Sequence, residues 1–282
     1  MLGLRISLKL EASHWRLDPT KARDWLADIR EFLHLGRLAP AEASQLCGRM
    51  SFLNCHVFGR VGRALLRPLI WRQLQQRGSQ SLTHRLRCSL VWFEKVLALE
   101  LERVVPYVHQ SPSYTLLLYT DAESTGQLAA VIVIGPQVFV WTGKVQNSTR
   151  RALISRETQI CAFEMLAAVA GLLLVHHKFG TQYGVLHYID STVALSVIIK
   201  GSSKHRDLNA MAGYTWLMAA EIRAQYRAQY VPSLSNLADG PLRNQHQLMT
   251  ELRAQEVEFE LPSMGPLLES WMDVEDATRL VS

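Results

Sequence analysis

Four acids, each in a different local setting, carry the chemistry available to this chain. Asp121 closes the apolar run 114–120, and Glu164 sits inside the apolar helical pattern 161–170. Asp190 closes a second apolar run, 184–189, and Asp239 lies in the segment 236–243. The intervals between them are 43, 26 and 49 residues. The order strand-Asp, helix-Glu, strand-Asp, late Asp lets the carboxylates converge at one end of a sheet. Clustered carboxylates are a donor set for hard divalent cations, and a pair of such cations is a standard means of splitting a phosphodiester.

Each acid also has a plainer reading. An Asp just past a strand often forms a turn or caps a helix, and Asn236 and Gly240 around Asp239 suit a simple turn. Glu164 is the most telling of the four. An ionised carboxylate on a helix rich in Ala, Leu and Val is costly unless it is paired or metal-bound, although a solvent stripe would also accommodate it. Glu123, two residues past Asp121, is read as solvated.

A second constellation is basic. Between residues 43 and 93 there is no acid, while Arg49, Arg60, Arg63, Arg67, Arg72, Arg77, Arg85 and Arg87 are present. Guanidinium forks suit phosphate oxygens, and Arg60, Arg63 and Arg67 have the spacing of one helical face. A solubilising face with snorkelling stems is the alternative. Trp15, Trp25, Trp71 and Trp92 are read as core by periodicity, with base stacking as the minority reading.

The elements that must position these residues follow from periodicity. Asp18-Pro19 is a helix start, with an N-cap acid and Pro at the first helical position, and Gly36 is its stop. A second helix restarts at Pro40. A third is expected over 61–76 and a fourth over 84–102, so residues 1–105 read as helical. Residues 106–112 read as a linker. From 114 the period changes to strands at 114–120, 129–134 and 138–141, followed by a long helix over 156–176. A strand at 185–189, helices to about 201 and over 207–225, and a strand at 228–232 complete the pattern. The order β-β-β-α-β-α-α-β-α predicts an α/β fold, a mixed sheet flanked by helices over 113–250, and an acidic tail over 251–282.

The net charge of +5 conceals a gradient. Residues 1–110 carry 17 Lys/Arg against 9 Asp/Glu, whereas 251–282 carry 2 against 8. The N-terminal part is therefore a candidate surface for a polyanion. The four cysteines form no C-x-x-C pair and read as reduced thiols of a cytosolic or nuclear protein, with a structural zinc site as the alternative. The first residues lack the apolar core of a secretory signal, and the longest apolar stretch, near 166–175, reads as too short to cross a bilayer. Secretion and membrane insertion are thus not expected.

The motifs together resemble the C-terminal region of a retroelement reverse transcriptase, a thumb/connection followed by an RNase H type 1 domain. The matching stretches are Tyr119-Thr-Asp-Ala-Glu-Ser124, Phe163-Glu-Met-Leu-Ala167, Tyr188-Ile-Asp-Ser-Thr192 and Val231-Pro-Ser-Leu-Ser-Asn-Leu-Ala-Asp-Gly-Pro-Leu-Arg243. Lys200-Gly-Ser-Ser-Lys-His-Arg-Asp-Leu-Asn209 and Phe58-Gly-Arg-Val-Gly-Arg-Ala-Leu-Leu-Arg-Pro-Leu69 are similar to the tyrosine-recombinase (DIRS-like) branch. The resemblance implies an RNase H-like sheet, preceded by a helical thumb/connection-like segment. It implies cleavage of the RNA strand of RNA–DNA hybrids, with Asp121, Glu164, Asp190 and Asp239 as both catalytic residues and ligands of two Mg²⁺ ions about 4 Å apart. Mn²⁺ is the expected substitute, and Arg60, Arg63 and Arg67 are the expected nucleic-acid contacts.

The chain departs from that family in three respects, one being that Ser124-Thr-Gly-Gln follows the first strand motif where a more glycine-rich turn is expected. It has no Tyr-x-Asp-Asp loop, so palm and fingers are read as missing, no polymerase activity is expected, and the missing polymerase portion is a partner to expect. It also has no His between Tyr226 and Asp239, where many RNase H domains carry one. Two rival readings remain: a catalytically silent nucleic-acid-binding remnant, and an unrelated helical scaffold whose acids are dispersed.

Overall fold

A computed structural model describes residues 3–75, 80–107, 115–180, 183–243 and 247–270. The chain divides into two compact units, with described residues up to 107 in the first and from 115 to 269 in the second. The expected linker 106–112 is described only to 107, and from 108 it lies outside the described residues.

The first unit is not wholly helical. Strands β1 (Leu4–Leu8) and β2 (Ala12–Leu17) precede helix α1 (Pro19–Leu35). Helices α2 (Pro40–Leu53), α3 (Leu66–Leu74) and α4 (His84–Ala98) follow, and β3 (Glu102–Pro106) closes the unit. The three strands form an antiparallel sheet in the order β1-β2-β3. This corrects the all-helical expectation for 1–105. The helix starts fare better. Asp18 accepts hydrogen bonds from the backbone N–H groups of Thr20 and Lys21, and Gly36 ends α1 in the left-handed region.

The third helix is shorter than its apolar pattern. Residues 54–58 form a π-helical turn, 63–65 a 3₁₀ turn, and α3 begins only at Leu66. Gly62 explains the break. Its φ is +92°, and a Cβ there would come within 3.1 Å of both Asn54 and Phe93.

The second unit opens with β4 (Leu116–Ala122), β5 (Gln127–Ile134), β6 (Gln137–Lys144) and the short α5 (Asn147–Arg151). Next come α6 (Ile160–Phe179), β7 (Gly184–Ile189), α7 (Thr192–Lys200), α8 (Arg206–Glu221) and β8 (Gln225–Tyr230). The chain continues through α9 (Asp239–Leu242), α10 (Gln247–Glu251), β9 (Gln255–Glu256) and α11 (Gly265–Ser270). The strands make one mixed sheet in the order β8-β7-β4-β5-β6-β9. β4, β5 and β6 are antiparallel, whereas β7 is parallel to both β4 and β8. This is the α/β architecture expected from the sequence, a mixed sheet flanked by helices.

α6 is the central helix and packs on β4, β5 and α8. By length and composition it could cross a membrane, but 72% of its apolar window is buried inside the unit, as in the core helix of a folded domain. Gly171 sets its close approach to the sheet. A Cβ at that position would lie 2.7 Å from Thr120, the residue before Asp121.

The expected acidic tail is in part a structural strip. β9 runs parallel to β6, Val257 N–H donates to the Val140 carbonyl, and Trp141 Nε1 donates to the Phe259 carbonyl at 2.8 Å. Glu256, Glu258 and Glu260 are exposed while Val257, Phe259 and Leu261 turn inward. That alternation is what a strand at the edge of a sheet produces. Residues 271–282 lie outside the described residues.

Candidate metal centre

The parallel pairing of β4 with β7 puts Thr120 opposite Ile189, so Asp121 and Asp190 leave neighbouring central strands at the same end of the sheet. α6 carries Glu164 to that end. One oxygen each from Asp121, Glu164 and Asp190 lies within 4.8 Å of the others. Asp121 and Glu164 are each only 6% exposed. The Ala122 N–H donates to Asp121 Oδ1 at 2.8 Å, and the Ser233 hydroxyl donates to Asp190 Oδ2 at 2.9 Å. Glu164 Oε2 and Asp190 Oδ1 are buried without a hydrogen-bond partner. Buried carboxylate oxygens of that kind call for a proton or a cation.

Asp239 stands at the edge of this group. It shares with Asp121 and Asp190 a cavity of about 440 Å³, lined also by Glu123, Ser124, Ser233, Leu242 and Arg243. It lies outside the tight three, and Arg243 Nε donates to its Oδ1 at 2.7 Å. The structure therefore brings all four sequence-predicted acids to one locality, three of them as a compact cluster and the fourth across the cavity. Glu123, read as solvated, is half-buried on the cavity rim and accepts from the Thr125 hydroxyl at 3.1 Å.

Crowding sets the protonation of the cluster. Glu164 is pushed up to about 9, first by burial and then by the charges of Asp121 and Asp190. Asp121 is pushed up to about 7 by burial, then Asp190, with Asp239 adding to the effect. The hydrogen bond between Glu164 and Asp121 raises the first and lowers the second, so Glu164 is the protonated donor when no cation is held. The donor set is all hard oxygen, it is buried, and it carries orphaned lone pairs. Those properties fit Mg²⁺ or Mn²⁺ rather than a softer metal.

Asn236 holds the fourth acid in place. It is buried, its Nδ2 donates to the Thr120 carbonyl at 3.1 Å, and its Oδ1 accepts from the Ala238 N–H at 3.2 Å. One side chain thus ties the Asp239 segment to the backbone immediately before Asp121. Asn236→Ala should lower stability by about 1–2 kcal/mol, because it removes the bond to the Thr120 carbonyl and leaves the Ala238 N–H without its acceptor. Denaturant unfolding checks this, and an unchanged midpoint would mean that the segment is held by other contacts. A second anchor is the buried ion pair of Arg156 with Asp207. Asp207 is 0% exposed, and it accepts from Arg156 Nη1 at 2.7 Å and from the Ile154 and Leu208 N–H groups. The pair fixes the segment entering α6 to the start of α8, and with it the height of Glu164 against the sheet. α6 itself starts at Ile160 and not at the expected 156.

Comparison with known proteins finds likeness only in solved structures. No family model matches the chain, and no curated protein matches it. RNase H1 of the halophilic archaeon Halobacterium salinarum is similar at 16% identity and TM-score 0.33, over 46% of this chain and 96% of that one. The N-terminal RNase H domain of a Mycobacterium tuberculosis protein is similar at 18% identity and TM-score 0.33, over 50% of this chain and 99% of that one.

The basic constellation lies in the first unit. Arg63 and Arg67 are exposed and Arg60 is half-buried. Arg60 is held below the usual guanidinium range by burial and then by the charge of Arg63. The three arginines stand on a turn, a 3₁₀ turn and α3 and not on one regular helix, which corrects the expected helical stripe. Trp25 and Trp92 are buried as expected, whereas Trp71, one turn after Arg67 on α3, is 62% exposed. The sequence pattern does not single out Arg243 or Ser233, and it marks Asn236 only as a turn former, a role that its bond from the Ala238 N–H fits. For the other two the only signal is proximity to Asp239.

Proposed function

We propose that the second unit is a divalent-metal-dependent nuclease of the RNase H type, cleaving the RNA strand of RNA–DNA hybrids. The observation that carries this reading is the convergence of Asp121, Glu164 and Asp190 from β4, α6 and β7 within 4.8 Å, with Asp239 on the same cavity. In this reading Asp121, Glu164, Asp190 and Asp239 hold Mg²⁺, with Mn²⁺ as a substitute. When bound, such ions activate water and stabilise the leaving oxygen. The chain's own residues prepare the site. Ala122 N–H and the Ser233 hydroxyl fix the orientation of Asp121 and Asp190, and Glu164 must give up its proton before all three can act as anionic donors.

The same reading makes the chain a portion of a retroelement reverse transcriptase of the tyrosine-recombinase branch, working where hybrids arise in the cytoplasm or nucleus. Its support is the order of the four acidic motifs together with the acid-free, arginine-rich stretch 43–93. Mg²⁺-dependent cleavage of a labelled RNA–DNA hybrid by the full chain tests the reading. Product from the RNA strand alone is expected. Hybrid binding with no cleavage at any Mg²⁺ or Mn²⁺ concentration would select the silent-remnant alternative.

The first unit supplies phosphate contacts in this reading, with Trp71 beside Arg67 as an exposed ring. Replacing Arg60, Arg63 and Arg67 together by Gln should weaken hybrid binding about equally for unrelated sequences. The salt slope of binding should fall by up to about three, one unit per lost phosphate contact. An unchanged slope would mean that these arginines serve the fold or solubility alone.

A further inference from the structure

Arg243 is the one cation among the described residues that line the carboxylate cavity, where Asp121, Glu123, Asp190 and Asp239 supply the opposite charge. Its Nε donates to Asp239 Oδ1 at 2.7 Å across one helical turn. The Arg243 side chain is 61% exposed, so this ion pair and not packing sets its position. The paired carboxylate is also the one that stands outside the three-acid cluster. Asp239 is thus anchored near Asp121 through Asn236 while its charge is directed to Arg243.

We propose that Arg243 is an exchangeable counter-ion of this site. It neutralises Asp239 while no divalent ion is held. As Asp239 becomes a ligand, Arg243 releases it and presents its guanidinium to a phosphate of the substrate strand. The proposal rests on the nuclease reading above. Its physical basis is competition for one carboxylate. An exposed pair between residues four apart is weak, whereas a divalent cation beside Asp121 and Asp190 attracts the same carboxylate from a buried, anionic pocket. A phosphodiester entering that pocket meets four acids, and a guanidinium fork matches its oxygens in geometry and charge. No histidine is among the described residues that line the cavity, so among these Arg243 alone can take a phosphate contact as a cation.

The test uses the full chain, Arg243→Ala and Arg243→Lys, with two independent readouts. In thermal-shift titrations with MgCl₂ alone, Arg243→Ala should reach its midpoint at roughly three- to tenfold lower Mg²⁺, because the competing charge is gone. Arg243→Lys should stay near the parent. With labelled hybrid at saturating Mg²⁺, the single-turnover rate should fall at least about tenfold in Arg243→Ala, with partial recovery in the Lys variant. A merely structural arginine would lower the metal-free melting temperature and leave the Mg²⁺ midpoint in place, and that result overturns the proposal. A shifted midpoint with an unchanged cleavage rate overturns its phosphate half. A parent inert towards hybrid sinks the nuclease reading instead, while the two Mg²⁺ midpoints still decide whether Arg243 competes for Asp239.

Discussion

Asp190→Asn should reduce hybrid cleavage by at least about a thousandfold while the chain stays folded. The substitution removes one charge and nearly preserves shape. Asp190 closes β7 next to Asp121, accepts from the Ser233 hydroxyl and keeps its Oδ1 buried without a partner. An amide can still accept from Ser233 but cannot offset the repulsion between two divalent cations. The variant should melt at or above the parent temperature in EDTA, because a neighbouring like charge has been removed from Asp121 and Glu164. It should lose most of the stabilisation that Mg²⁺ gives the parent. Cleavage at the parental rate would remove Asp190 from the site, and a collapse of the fold would make it a structural residue.

The sequence made this site legible because three of its residues sit at the ends or on the face of strongly patterned elements. The apolar runs before Asp121 and Asp190 are parallel neighbours, so two acids far apart in the chain leave the sheet side by side. Glu164 stood out as a carboxylate in an almost wholly apolar helix, and it is buried. The failures have a common cause, which is pairing between distant segments. β2 and β3 pair residues roughly ninety apart, and neither strand is long enough to show a period against its helical flanks. The acidic strip at 255–261 reads as a tail by charge, yet its alternate Val257, Phe259 and Leu261 turn inward beside β6. Counting charge alone hides a period of two. Asn236 reads as a turn former, which its bond from the Ala238 N–H fits, but its tie to the Thr120 carbonyl and the contact of Arg243 with Asp239 are single contacts that no local pattern encodes.

Glu164→Gln should separate the energetics of the site from its chemistry. With no divalent ion, Glu164 binds its proton more tightly in the folded chain than in the unfolded one, because burial and the charges of Asp121 and Asp190 oppose ionisation. The sign follows from linkage. A carboxyl whose folded pKa is raised contributes stability that is fully present below its unfolded value near 4.3. That stability is lost as pH rises towards the folded value of about 9. In EDTA the parent should therefore lose stability from about pH 5 to about pH 9, and Asp121, also raised, adds to the slope over the lower part of that range. Glu164→Gln removes the largest contribution. It should be more stable than the parent near pH 8 by on the order of 3 kcal/mol, and nearly equal to it near pH 4. Saturating Mg²⁺ should flatten the parent's pH profile, since a cation takes the place of the proton, and should do little for the variant. The same variant should be catalytically poor. Chemical denaturation across pH, with and without Mg²⁺, measures all of these effects together. A parent profile that is flat in EDTA would mean that the three carboxylates are better solvated than their burial implies. A variant that keeps the full Mg²⁺ stabilisation would mean that Glu164 is a buried core acid and not a ligand. Gain of stability coupled to loss of metal response and of cleavage is the combination that a merely structural Glu164 cannot produce, because a site evolved to hold cations keeps its carboxylates together at the expense of the metal-free fold.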